Sequence, residues 1–251
     1  MANHDAGAAS HWRKQLQQAS DVLGLGLDAA ALDGLIAYLQ LLQRWNKVYN
    51  LTALRDPQEM LTHHLVDCLA VLPALRQHAA KAGLDGLDGL RVLDVGSGGG
   101  LPGVVLALVH PAWRITCVDT VSKKASFIRQ VAAELRLPNL TGLHARVEAL
   151  APPAGQFDVI TSRAFASLGD FATLSAQVLA PGGVWLAMKG RLPVDEQAQL
   201  PAKVQVFHVE QLQVPGVDAQ RCLVWMRPMP AAGATQNEVD LPAAATPQTG
   251  A

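Results

Sequence analysis

The stretch that most constrains this chain is Val92-Leu-Asp-Val-Gly-Ser-Gly-Gly-Gly-Leu-Pro-Gly103, an apolar run that reaches Asp94 and then breaks into glycines at 96, 98 and 100. Glycines so spaced permit a tight turn in backbone conformations closed to other residues, and they leave the main chain open to close approach by a ligand. At the carboxyl end of a strand, such a turn belongs to a wound α/β sheet, whose ligands bind outside the strand ends. Spacing narrows the choice further. A dinucleotide fingerprint G-x-G-x-x-G needs its third glycine at position 101, which is Leu101, and no Lys-Ser or Lys-Thr follows to make a P-loop. A glycine turn by itself reads equally well as a bare strand-to-helix connection.

The surrounding rhythm supports the sheet. From Leu90 onward short apolar runs alternate with helical segments. Strands are expected at Arg91 to Val95, Arg114 to Val118, Leu140 to Ala145, Phe157 to Ser162 and Gly183 to Met188, with helices at Pro102 to Val109, Lys123 to Leu135 and Leu168 to Leu179. Pro181-Gly-Gly183 is expected to stop the last of these helices. Val204 to Val209 and Cys222 to Met226 read as two more strands. The segment Glu210 to Arg221 between them carries Pro215-Gly216 and suits a hairpin better than a helical crossover. The sum is a mostly parallel seven-stranded sheet with an antiparallel last pair, the class I, Rossmann-like arrangement of methyltransferases.

Ahead of the sheet the pattern is helical. After Asp28, a good N-cap, apolar residues recur at Leu32, Leu35, Ile36, Leu39 and Leu42. A second helix is expected from Pro57 to Leu75, with Leu61, Leu65, Cys68 and Leu72 on one face. Residues 1–9 and 228–251 read as unstructured. The folded part then divides into a helical extension, 10–82, and a cofactor-binding domain, 83–227, entered through the breaker-rich joint Gly83 to Gly89.

Asp94, the glycines, Asp119 and Glu148 stand at successive strand ends, and that company makes the glycine turn informative. In the G-x-G-x-G form the turn resembles those of S-adenosylmethionine binders. Asp119 is placed to accept from ribose hydroxyls, and Val147 to pack on an adenine.

Composition limits the chemistry. The three cysteines, Cys68, Cys117 and Cys222, form no CxxC pair, and the eight histidines lack the spacing of a helical metal site, so no metal is expected. No apolar run reaches the ~20 residues of a membrane span, and residues 1–10 lack a signal-peptide pattern; a cytoplasmic location follows as the expectation. The formal net charge of −1 leaves nucleic-acid binding to a locally basic face or to a large assembly. After the fourth strand stands Thr161-Ser-Arg-Ala-Phe165, not the Asn/Asp-Pro-Pro-Tyr/Phe that often serves exocyclic amines. None of the cysteines lies on a loop suited to cytosine C5 chemistry. Methylation of a ring nitrogen fits better.

Several segments together resemble the RsmG family, also called glucose-inhibited division protein B: Trp45-Asn-Lys-Val-Tyr-Asn-Leu-Thr52, Asp56-Pro-Gln-Glu-Met60, His64-Leu-Val-Asp67, the glycine loop, Ser162-Arg-Ala-Phe-Ala-Ser167 and Lys189-Gly190. Cys68 stands where that family commonly has serine. The resemblance implies S-adenosylmethionine-dependent methylation of guanine N7 in 16S rRNA, at position 527, by a cytoplasmic enzyme expected to be a monomer. It implies cofactor contacts at Gly96, Leu101, Val147, Glu148 and Arg163, to which the strand-end reading adds Asp94, Gly98, Gly100 and Asp119. Trp45, Tyr49, His64 and Asp67 read first as packing and capping residues. Lys123, Lys124, Arg129 and Arg136 read first as a solvated helix face. Lys189 and Arg191, just past the fifth strand, are the better RNA contacts, with Lys123, Lys124 and Arg163 as further candidates. The residues leave two other functions open: a class I enzyme acting on a small molecule or protein, and a silent cofactor-binding protein.

Overall fold

The computed structural model describes residues 2–83, 89–150, 156–163, 165, 167–191 and 194–230. Helix α1 spans Ala2–Val22 and α2 spans Ala29–Tyr49. Composition suggested an unstructured stretch through residue 9, whereas α1 already begins at Ala2; four of those nine residues are alanine, the strongest helix former. Asp28 caps α2 as expected, accepting from the Ala31 N–H at 2.8 Å, and Asn50 closes it in the left-handed region.

The single helix expected over Pro57 to Leu75 is four pieces. α3 (Pro57–Met60) starts under the Asp56 cap, a π-helical turn covers Leu61–Val66, and α4 (Asp67–Leu69) follows before α5 (Leu72–Lys81). All four residues of the predicted face are buried. The π turn adds a residue's worth of rotation without losing the helix. Most of the Gly83 to Gly89 joint, residues 84–88, lies outside the described residues, as does the tail 231–251.

The sheet carries β1 (Arg91–Val95), β2 (Arg114–Asp119), β3 (Leu140–His144), β4 (Phe157–Arg163), β5 (Leu179–Lys189), β6 (Val204–Leu212) and β7 (Arg221–Pro228) in the order β3-β2-β1-β4-β5-β7-β6. The first five pair in parallel, while β7 runs antiparallel to both β5 and β6. Helices α6 (Gly103–Val109), α7 (Ser122–Glu134) and α8 (Leu168–Ser175) fill the crossovers, and the short α9 (Val194–Ala198) precedes β6. This is the expected class I arrangement, but two details differ. Pro181-Gly-Gly183 does not terminate a helix; it sits inside β5, where the register against β4 shifts. Proline cannot donate to a ladder, so such a bulge is where a sheet tolerates it. And β7 runs on to Pro228, which pairs with Val204, one residue past the expected boundary at 227.

Strand alternation divides the sheet between two cores. Val92, Ile115, Val159, Leu186 and Trp225 join one that also contains Leu35, Leu39, Leu42, Leu65, Leu69 and Leu72 of the helical extension. Leu93, Ile160, Trp185 and Val224 face the other, with Phe171 of α8. The extension is thus built into one face of the sheet, with no cleavage plane between them, and it reaches the glycine loop.

Candidate active site and cofactor cleft

The loop after β1 is made by main-chain geometry. Gly96, Gly98 and Gly100 have φ of 67°, 59° and 89°, values that a β-branched residue adopts only under strain. Two carboxylates fix the loop from below and from the side. Asp94 Oδ2 accepts from Gly103 N at 2.9 Å, where α6 begins. Asp119, at the end of β2, accepts from Gly98 N at 2.9 Å and from Val121 N at 2.8 Å. The Tyr38 hydroxyl, buried on α2, donates to Gly99 O at 2.6 Å. Nothing in the sequence marked Tyr38 beyond a lone hydroxyl-bearing ring in an aliphatic stripe.

Beside this loop opens a cleft of about 440 Å³ whose walls include Gly96, Asp119, Val121, Lys124, Val147 and Glu148. Four of the expected cofactor residues therefore meet: Gly96, Asp119, Val147 and Glu148. A side chain at Gly96 would meet nothing within 4 Å, so its open side is free for a ligand. Val121, 36% exposed, and Val147 supply apolar walls for a flat heteroaromatic ring. Each Asp119 oxygen accepts one N–H and retains a lone pair for a hydroxyl. An adenosine fits this chemistry. Val121 was missed from the sequence; an apolar residue two past a strand-end acid was the available signal.

The remaining expected residues stand elsewhere. Asp94 and Gly100 lie beneath the loop, and their part is to shape it. Burial raises the Asp94 carboxyl to about 7, against the opposing pull of the Gly103 N–H and Arg163. A side chain at Gly100 would run into Val104. Leu101 is buried in the core shared with the extension, not in the cleft wall. An apolar side chain at the start of a buried turn goes where it removes most surface from water. Glu148 pairs with exposed Arg146; its own backbone N–H and then the Arg146 guanidinium lower its carboxyl.

Arg163 does not line this cleft. From the end of β4 it turns to the π turn of the extension, donating from Nη1 to His63 O at 3.0 Å and approaching His64 Nδ1 at 3.2 Å and Asp67 Oδ2 at 3.5 Å. Arg221, opening β7, binds the other Asp67 oxygen at 2.7 Å. Nδ1 of His64 also lies 3.1 Å from the neighbouring His63 O, and Nε2 lies 2.7 Å from Thr52 Oγ1. Burial and then the Arg163 charge lower His64 to about 4. Thr52 is tied in turn to Asn46, whose Oδ1 accepts from Thr52 N and whose Nδ2 donates to Leu54 O. Trp45 packs between Tyr49 and Phe127, with ring centroids 5.0 and 5.4 Å away.

Among the basic candidates, Lys123 is exposed and Lys124 Nζ lies 3.8 Å from Asp119. Lys189 is held by both oxygens of Glu196 at 3.0 and 2.9 Å, whereas Arg191 is exposed.

A parallel sheet closed by an antiparallel hairpin, with a glycine turn latched to the acid of the second strand, defines a class I methyltransferase, the class that draws its methyl group from S-adenosylmethionine. The chain belongs to the family described as rRNA small subunit methyltransferase G, whose model matches residues 31–224. It is 60% identical over 216 residues to the Ribosomal RNA small subunit methyltransferase G of Acidovorax sp. (strain JS42), covering 85% of this chain and 94% of that one. It is 56% identical over 243 residues to the protein of the same name from Paracidovorax citrulli (strain AAC00-1), covering 94% and 98%. A solved SAM dependent methyltransferase from Aquifex aeolicus aligns at 17% identity and a TM-score of 0.49, over 75% of this chain and 97% of that one; the family assignment does not rest on it.

Proposed function

We propose that this chain methylates N7 of a guanine in the 16S rRNA of the small ribosomal subunit, working as a monomer in the cytoplasm. Family membership supplies the substrate class. The observation that carries the choice of atom is the lack of a free base or nucleophile among the described residues around the cleft. Asp119 is engaged with two N–H groups, Glu148 with Arg146, and both ring nitrogens of His64 have partners. Burial pushes the thiols of Cys68, Cys117 and Cys222 up, away from the thiolate that C5 chemistry needs. Guanine N7 has an in-plane lone pair and no hydrogen, so neither device is required.

S-adenosylmethionine, when bound, supplies an electrophilic methyl group. Gly96, Asp119, Val121, Val147 and Glu148 are the residues that would hold it. The work left to the protein is alignment and the exclusion of water. An arginine forked onto O6 and N7, the usual guanine contact, would occupy the reacting lone pair; Arg163, tied to Asp67 and His63, is kept from that task.

The test uses small subunits from a strain lacking the enzyme, incubated with labelled S-adenosylmethionine and digested to nucleosides. Label in N7-methylguanosine is expected. Label in another nucleoside overturns the choice of atom, and label only in proteins or small molecules overturns the rRNA reading. No membrane-crossing helix is found among the described residues.

A further inference from the structure

At the carboxyl end of β5 a second, wider cleft of about 810 Å³ is lined by Lys189, Arg191 and Arg221 together with Asp195 and Glu196. Its three cations are differently employed. Arg221 is held by Asp67. Arg191 makes no ion pair among the described residues. Lys189, with a side chain only 14% exposed, is gripped by Glu196. That carboxylate comes from α9, a five-residue helix with no buried residue, whose Val194 is 64% exposed. α9 lies against α8, and Glu196 ties it there through Lys189 and through the Leu168 N–H at 2.8 Å. An ion pair with its carboxylate partly open to water yields to salt or to a competing anion.

We propose that Lys189, with Arg191 beside it, binds a phosphodiester of the acceptor RNA, and that Glu196 occupies the phosphate's place until RNA arrives. The proposal rests on the rRNA reading above. Carboxylate and phosphate oxygens ask for the same charge-assisted donors, and the cleft opens at the strand ends, the side on which the cofactor cleft lies. In a chain of net charge −1, this cleft sets three cations together, partly cancelled by two carboxylates. Tight binding then requires displacing an acid, which discriminates against stray anions and short RNA.

The test measures affinity for small subunits from the deletion strain across a salt series, with the full-length protein. Glu196→Gln keeps an acceptor for the Leu168 N–H and removes the charge. It should bind subunits three- to tenfold tighter at low salt, with a log–log salt slope steeper by about one phosphate contact, and with unchanged cofactor affinity. Lys189→Ala should weaken binding and flatten the slope, and in that background Glu196→Gln should have no further effect. Asp195→Asn, an acid on the same helix that grips no cation, should change affinity less than twofold. Equal tightening by Asp195→Asn and Glu196→Gln, an undiminished Glu196→Gln effect without Lys189, or no change in slope overturns the proposal. If wild-type protein neither binds nor methylates the subunits, the rRNA reading itself has failed; methylation with an inert Glu196→Gln removes the phosphate-mimic proposal alone.

Discussion

The cofactor cleft and the joint around Asp67 lie at the same end of the sheet, yet they are built by opposite means. The cleft is main chain: glycines at positive φ, N–H groups latched to a strand-end carboxylate, and apolar side chains that only line a wall. Its key bond joins residues 21 positions apart. The joint is built mainly by long side chains. It brings Arg163 to His64 across 99 positions and Arg221 to Asp67 across 154, and it places two guanidinium groups on one buried carboxylate. Damage should follow the construction. Changes in the joint should cost stability and leave cofactor binding alone, and changes at the loop should do the reverse.

The largest effect is expected from Asp67→Ala, which strands two arginines at a buried position. Breaking a buried pair by removing one partner typically costs about 3–5 kcal/mol, read as a lowered denaturant midpoint. Cofactor affinity measured well below the new midpoint should change less than twofold; a parallel collapse of affinity would merge the two regions into one.

The pH dependence sharpens the same contrast. His64 is about 4 in the fold against ~6.5 in the unfolded chain. It contributes stability fully present above about pH 6.5 and lost as pH falls through 4, on the order of 3 kcal/mol at most. Asp94 runs the other way, because its raised folded value favours the neutral acid: its contribution is present below the usual carboxylate range and lost as pH rises toward 7. The two slopes oppose each other, so the comparison needs a variant. Apo wild type should lose stability relative to His64→Gln between pH 6.5 and 4. A constant gap would show that His64 is not held neutral by burial and the Arg163 charge.

Asp119→Ala belongs to the loop. Cofactor affinity should fall by about 1–3 kcal/mol through lost hydroxyl and loop hydrogen bonds, with calorimetry as the check. Gly98→Val should act similarly, though its cause is conformational: a side chain there would meet only Gly96 O at 3.9 Å, and the obstacle is φ at 59°. The smallest effect is reserved for the contact that bridges the regions. Tyr38→Phe leaves Gly99 O without its donor and should cost about 1 kcal/mol of stability, with at most a few-fold loss of cofactor affinity. A larger loss of affinity than of stability would mean α2 positions the loop as well as covering it.

The same contrast explains what could be read beforehand. Strand ends, glycine spacing and Asp119 are consecutive or nearly so, and each carries its own local reason; β1 begins and ends where expected. The packing of Leu101 and Arg163 could not be read because their surroundings are tertiary. Nothing near Leu101 in sequence shows that it will join the core shared with the extension, and nothing near Arg163 announces an acceptor 99 positions away. The π turn was invisible for a related reason: the apolar spacing around Leu61 and Leu65 is compatible with an ordinary helix, and the extra residue is imposed by packing. Glu196 was passed over because α9 has no buried face for periodicity to betray.

The central claim is that the cleft aligns a ready lone pair and removes no proton. It is tested most directly by single-turnover methylation of small subunits saturated with enzyme and S-adenosylmethionine, followed from about pH 6 to 9. With no base to ionise, the rate should stay within about twofold across that interval. A tenfold rise with pH, abolished by replacing one nearby acid or histidine, would show that a general base operates and that the acceptor is not guanine N7.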